Sequence, residues 1–241
     1  MVRFPSMASA PDHHDSGTAG GKVLAALASW NILVSATWLF APFVLAGTFV
    51  WVAGWLYLGV VIAGVLAESR RVSRSNPVLK KRRRRIGTGT KAWDLGWNTL
   101  FWPLMASIDV VAGFQYGRRG DAMSFAVWPL GLLLVASGFF LSAWAMGANP
   151  YFEGTVRIQT EVGHSVYEDG PYVIVRHPGY LGLVLWALGT PFLLLSIGPA
   201  LATAGWIVLR TGLEDATLCR ELAGYADYAS RTKCRLLPAV W

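Results

Sequence analysis

Acidic residues are scarce in this chain: 14 Asp and Glu stand against 21 Lys and Arg among 241 residues. Cysteine is scarcer still, with only Cys219 and Cys234. Two cysteines build neither a disulfide framework nor a zinc site. More telling are stretches with no charge at all. Residues 23–67, 122–148 and 178–209 contain no Asp, Glu, Lys or Arg. A membrane-spanning helix needs only about 20 such residues. Common chemical signatures are missing too. There is no G-x-G-x-x-G after a strand and no Walker A sequence, and Gly87-Thr88-Gly89-Thr90 is only a fragment inside a loop. No G-x-S-x-G elbow occurs. There is no H-E-x-x-H, and His164 and His177 lack a Cys or acid partner at metal-ligand spacing. A hydrolase or metalloenzyme has little support, and no metal is implied.

What is present is apolar. Hydrophobic residues make up 54% of the chain, with twelve Trp, and the mean hydropathy is +0.43. The reading is an all-α, polytopic integral membrane bundle of about six apolar helices. The net charge of +7 is unevenly placed. Ten Lys and Arg fall between Arg70 and Lys91. The positive-inside rule puts that loop in the cytoplasm, where it also suits anionic lipid. No nucleic-acid partner is expected.

In order along the chain, residues 1–21 read as a disordered cytoplasmic leader without the charged-then-apolar order of a signal peptide. Residues 22–147 read as four transmembrane helices, with the basic cytoplasmic loop at 68–92. A break near Ala46-Gly47-Thr48 divides the first uncharged run into two. The third span, Trp93 to about Gln115, contains Asp109. An acid inside a membrane is a functional candidate, but a place near the outer end or as a helix cap also accounts for it. The fourth span is Ser124–Gly147. Residues 148–177 form a polar insertion in which Thr155–Gln159 alternates like a short extended piece. The run from Pro178 to Leu209 is expected to break at Ser196-Ile197-Gly198-Pro199 into a hairpin, followed by an amphipathic helix over Leu213–Ser230. With the basic loop inside, this count brings both termini and the polar insertion to the cytoplasmic side. Residues 148–241 are the expected catalytic region.

The stretch Asp169–Gly182 is polar and rich in turns, yet it sits directly before an uncharged run. Irregular backbone beside lipid must satisfy its own N–H and C=O groups, or use a ligand to do so. Arg210 and Glu214 are four apart, so a helix shows both on one face. An Arg at the edge of lipid can hold a carboxylate in a bidentate fork. The same two residues can also simply pair with each other, and Arg176 can meet helix carbonyls.

Gly170-x-Tyr172-x-x-Val175-Arg176-His177-Pro178-x-Tyr180-x-Gly182 resembles the signature of the isoprenylcysteine carboxyl methyltransferase family, to which phospholipid methyltransferases are related. Upstream, Asn149-Pro150 and the Val156-to-His164 segment resemble it too. So does the tail: Arg210, Glu214, Tyr225, Tyr228 and Leu237-Pro238. The likeness covers about residues 145–241, with an echo at Asn76-Pro77-x-Leu79. It implies an integral membrane enzyme that uses S-adenosylmethionine. By the resemblance, Gln159, His164, Ser165, Val166, Tyr167, Tyr172, His177, Pro178, Gly179, Tyr180 and Glu214 contact the cofactor. Arg210 resembles the residue assigned to the substrate, and Arg210 and Arg176 are the expected catalytic residues. The acceptor is expected to be lipophilic or small. A prenylcysteine carboxylate is the family's best-known one, although this chain resembles its smaller prokaryotic members. A carboxylate or thiolate acceptor needs no strong base, whereas an amine must be neutral and benefits from one. Three alternatives stand beside this: a phospholipid amine or small-thiol methyltransferase, a nicotinamide-dependent membrane reductase of the sterol reductase type, and a non-catalytic scaffold.

Overall fold

The break expected near Ala46-Gly47-Thr48 is present, because Gly47 turns the chain at φ +68°, a conformation that glycine adopts without strain. The computed structural model describes residues 40–77, 79, 89–120, 125–238 and 241. The expected leader, most of the first hairpin arm and the run Lys80–Arg85 lie outside the described residues. The helices belong to one unit, Ala41–Trp241. They are α1 (Val52–Ser75), α2 (Ala92–Arg119), α3 (Trp128–Ala148), α4 (Pro178–Gly189), the single turn α5 (Pro191–Leu194), α6 (Ile197–Glu221) and α7 (Tyr225–Arg231). No strand forms among the described residues.

Each boundary has a local cause. α1 ends before Asn76-Pro77, where proline forces the preceding residue out of the helical region, and Asn76 is non-helical (φ −145°, ψ 68°). α3 and α4 both begin with proline in the first turn, where its missing N–H costs nothing. The hairpin turns through Leu195 at φ 54°, one residue before the expected break. The tail differs from the single helix expected. Leu222 is extended and Gly224 takes φ +81°, so the segment splits into α6 and α7 at an angle that one continuous helix could not give.

Packing rests on small residues. A Cβ on Gly182 would lie 2.4 Å from Ser142 Oγ and 2.6 Å from the Gly138 carbonyl, and one on Gly138 would lie 2.5 Å from the Gly182 carbonyl. Glycines on both sides let α3 and α4 approach backbone to backbone, the usual means of association where lipid supplies no hydrophobic drive. Ser142 Oγ–H donates to the Gly179 carbonyl across the same seam (3.3 Å).

Large apolar side chains point outward: Val52, Leu56, Ile62, Val65 and Leu66 on α1, Leu133 and Phe140 on α3, Leu201 and Leu209 on α6. Such continuous apolar surface suits lipid rather than water. Two helical stretches, Val52–Ser75 and Phe125–Ala148, are long and apolar enough to cross a membrane. Among the described residues, the other helices are shorter or more polar. α2 buries Asp94 and Asp109, the Pro178–Leu194 run is shorter, and α6 passes from apolar to charged. Asp109 does not cap α2, which continues to Arg119. It lies instead against Tyr57, whose hydroxyl accepts a hydrogen bond from Trp186 Nε1 (3.2 Å).

Candidate active site

The polar insertion leaves α3 at Asn149 and is pinned at once. Asn76 Nδ2 donates to the Asn149 carbonyl (3.2 Å), and the Tyr151 N–H donates to Asn149 Oδ1 (2.8 Å). The alternating segment is extended but joins no ladder. Its Val156 N–H donates to Asp94 Oδ2 on α2 (2.7 Å), and its carbonyl accepts from the Lys91 N–H (3.0 Å). Arg157 is gripped by Glu153 and Glu161 (2.8 and 2.6 Å). Gln159, 1% exposed, donates from Nε2 to the Tyr151 carbonyl (2.7 Å). Its N–H faces His164 Nδ1 (3.3 Å), and the His164 ring packs 4.5 Å from that of Tyr151. Burial lowers the His164 pKa below its ordinary value, opposed in part by Glu153, so the imidazole is neutral near pH 7.

This folded-back insertion forms one wall of a cleft that is partly open to solvent. The signature stretch, the start of α4, the end of α6 and α7 supply most of the rest. Gln159, His164, Ser165, Val166 and Tyr167 line it from the insertion. Tyr172, His177, Gly179, Tyr180 and Glu214 line it from the signature stretch and α6. Sequence reasoning thus brought together residues that are far apart in the chain. Pro178 is an exception: it is buried at the start of α4 and absent from the lining. The Tyr180 hydroxyl donates to Glu214 Oε2. Tyr172 stands edge-on to Tyr167 at 5.5 Å, and burial raises its pKa, so the phenol stays protonated.

Beneath the cleft lies an acid that the sequence did not single out. Asp215, 2% exposed, accepts from Arg176 Nε and Nη2 (both 2.8 Å), Arg235 Nε (2.8 Å) and Tyr225 Oη (3.0 Å). His177 Nε2 lies 3.2 Å from Asp215 Oδ1. Burial favours protonation of this carboxyl. The hydrogen bonds from His177 and Arg176 outweigh it and hold the pKa well below the usual carboxylate range. An ionised carboxylate only accepts, so His177 carries its proton on Nε2. Arg176 was expected among the catalytic residues. Its guanidinium is instead committed to Asp215 and, through Nη1, to the carbonyls of Ala229, Thr232 and Lys233. That arrangement ties the tail to the cleft, whose lining includes Arg176.

Arg210 adjoins the cleft without lining it. It is 4% exposed, and its guanidinium stacks over Trp97 (4.1 Å) and Tyr180 (5.3 Å). Glu214 lies 3.9 Å from Nε, beyond hydrogen-bond range. The close partner is Asp94, 2.9 Å from Nη2. Sequence reasoning weighed Asp109 as the acid of the third span and passed over Asp94, in the first turn of α2. Asp215 was missed because the i, i+4 argument follows only the Arg210–Glu214 face, and Asp215 points a further 100° round the helix. The sequence signal was the adjacent Glu214-Asp215 pair.

Lipid-facing helices that carry a polar, aromatic-walled cleft at one end define a membrane protein with a small-molecule pocket. Residues 130–218 match the isoprenylcysteine carboxyl methyltransferase (ICMT) family. The protein-S-isoprenylcysteine O-methyltransferase of Saccharomyces cerevisiae is 41% identical over 68 residues, 28% of either chain. That of Schizosaccharomyces pombe is 41% identical over 72 residues, 29% of this chain and 30% of its own. A probable protein-S-isoprenylcysteine O-methyltransferase of Oryza sativa subsp. indica is 36% identical over 66 residues, 27% of this chain and 35% of its own. The chain therefore matches about a third of each relative's length.

Proposed function

We propose that the chain is a multi-pass integral membrane methyltransferase that uses S-adenosylmethionine, with residues 148–241 as its catalytic region. The observation that carries this reading is the convergence of His164–Tyr167, Tyr172, Gly179, Tyr180 and Glu214 on one cleft. The donor set fits the cofactor. Tyrosine rings give adenine a flat apolar slot, Gln159 and the backbone around His164 offer polar contacts, and Glu214 accepts from an ammonium or a ribose hydroxyl. When bound, the cofactor supplies a methyl group on a sulfonium. The protein's part is to position the partners and exclude water. His177 and Tyr180 shape the wall, Arg176 acts by holding that wall to the tail, and Arg210 stands on the acceptor's side.

The relatives' names carry a lipophilic, isoprenylcysteine-like acceptor to this chain as the leading class, with a phospholipid amine or a small thiol as the second. The ten Lys and Arg between Arg70 and Lys91 support a cytoplasm-facing site. Isothermal titration of the purified protein with S-adenosylmethionine, S-adenosylhomocysteine and NADPH tests the reading. Micromolar binding of both methyl-cycle compounds is expected. Binding of NADPH alone would move the chain to the reductases.

A further inference from the structure

His177 lines the cleft, and its ring is held from the protein side. Its backbone N–H donates to the Arg235 carbonyl (3.0 Å). Its face stacks on Tyr180, 5.8 Å between centroids and 21° between planes. Nε2 lies 3.2 Å from Asp215 Oδ1 and 3.3 Å from Tyr225 Oη. Tyr225 Oη lies 3.0 Å from the same Asp215 Oδ1. Tyr225 has one proton to give, so only one arrangement satisfies all three contacts. If that proton went to Nε2, Asp215 Oδ1 would face bare lone pairs on both neighbours. With a proton on Nε2, its N–H and the Tyr225 O–H both point at the carboxylate. In the neutral ring the second nitrogen is then a bare acceptor. That nitrogen, Nδ1, has no hydrogen-bond partner among the described residues. Nor is it one of the buried polar atoms left without a partner, such as Ser196 Oγ and Trp128 Nε1. It is therefore open, on a residue that is 6% exposed in all and lines the cleft.

Resting on the methyltransferase reading, we infer that Asp215 is a positioning residue for the cofactor: by taking the Nε2 proton it holds His177 in the tautomer whose bare Nδ1 faces the cleft, so the ligand must bring a hydrogen-bond donor to that point. S-adenosylmethionine carries such donors in its ammonium, its ribose hydroxyls and its adenine amine. A ligand group with lone pairs alone would meet Nδ1 without a proton between them, and both would lose their water. Arg176 and Arg235 keep Asp215 an acceptor by holding its far side (2.8 Å each). The cluster that ties down the tail thus also decides what the cleft presents. Because the ring is fixed before a ligand arrives, little ordering remains to be done on binding.

The test is nitrogen-15 NMR of the full chain in nanodiscs, with labelled histidine. His177→Gln identifies the His177 signals by their loss. If it does not fold, replacing His13, His14 and His164 by Gln leaves His177 as the only one of the four histidines. In the wild type, Nε2 is expected to carry the proton and Nδ1 to be bare. Saturation with S-adenosylhomocysteine is expected to move the Nδ1 resonance toward its hydrogen-bonded position and to leave Nε2 protonated. In Asp215→Asn the Oδ2 place is held by Arg176 Nη2 and Arg235 Nε, so the amide nitrogen takes the Oδ1 place and donates to Nε2. The ring proton is then expected to cross to Nδ1, and S-adenosylhomocysteine affinity to fall about tenfold. Loss of a merely structural contact would not reverse the tautomer. A protonated Nδ1 in the wild type overturns the inference. So does bound S-adenosylhomocysteine that leaves Nδ1 unmoved, or an Asp215→Asn variant that keeps the wild-type tautomer. If Asp215→Asn does not fold, the wild-type spectra with and without ligand decide. Failure to bind S-adenosylhomocysteine is a separate result that removes the methyltransferase reading itself.

Discussion

Asp215 receives both Nε and Nη2 of Arg176 at 2.8 Å, 39 residues away in the chain, and both side chains are buried. The pair joins α6 to the signature stretch. Arg235 joins the tail to the same carboxylate (2.8 Å). Backbone bonds repeat the link, because the N–H groups of Arg176 and His177 donate to the carbonyls of Cys234 and Arg235 (2.9 and 3.0 Å). Replacing Asp215 by Ala leaves a buried guanidinium without its counter-ion, a change that costs about 3–5 kcal/mol. A fall of that size in unfolding free energy, by denaturant titration in detergent, is the expected result. A change within about 0.5 kcal/mol, typical of surface sites, would show that the cluster does not hold the tail.

The pH dependence of that contribution follows from its direction. The folded pKa of Asp215 is depressed, so its stabilisation is fully present above the unfolded value of about 3.9. It is lost only as pH falls below that value toward the folded one. His164 acts in another window. Its folded pKa is lowered, so the unfolded chain takes up the proton first, near pH 6.5 and below. The native state is therefore penalised as pH drops from about 7 to 5.5. Melting curves across that range should show a smaller acid-induced drop for His164→Gln than for the wild type. Parallel curves would rule out His164 as the titrating group.

The cleft was legible in the sequence because its walls are local motifs: a run of irregular backbone beside apolar residues, and an acid, Glu214, in the helix that follows an uncharged run. What joins the walls was not legible. Asp94 and Arg210 come from helices more than a hundred residues apart, and neither span signals the other. Asp215 stands beside Glu214 in the sequence, and nothing there announces the two guanidiniums, the imidazole and the phenol around it. The exact helix ends were less legible for a related reason. Hydropathy marks apolar runs, but Leu195 at φ 54° and Gly224 at φ +81° decide where those runs stop being one helix.

The α3–α4 seam makes a packing prediction free of any ligand. Gly182→Ala places a methyl group 2.4 Å from Ser142 Oγ and 2.6 Å from the Gly138 carbonyl. The hydroxyl can rotate away, but the carbonyl belongs to the α3 backbone. Overpacking of this kind costs about 1–3 kcal/mol. Gly205 has open space at the same test, so Gly205→Ala serves as the control and should be neutral or slightly stabilising, since alanine suits a helix better. Equal unfolding free energies for the two variants would contradict the close approach.

Glu214 carries the most direct prediction about the cofactor. Its carboxylate faces the cleft, accepts from the Tyr180 hydroxyl, and leaves its second oxygen outside that bond. A hydrogen bond between charged groups contributes about 1.5–3 kcal/mol. Glu214→Gln should therefore weaken S-adenosylhomocysteine binding about tenfold to a hundredfold. Tyr180→Phe removes only the hydroxyl that orients the carboxylate, so its loss should be smaller and in the same direction. The two substitutions share a partner and should not be additive. In Tyr180→Phe/Glu214→Gln, the second change should add little to the loss of Glu214→Gln alone. Losses that sum fully in the double variant would mean that Tyr180 touches the ligand itself rather than acting through Glu214.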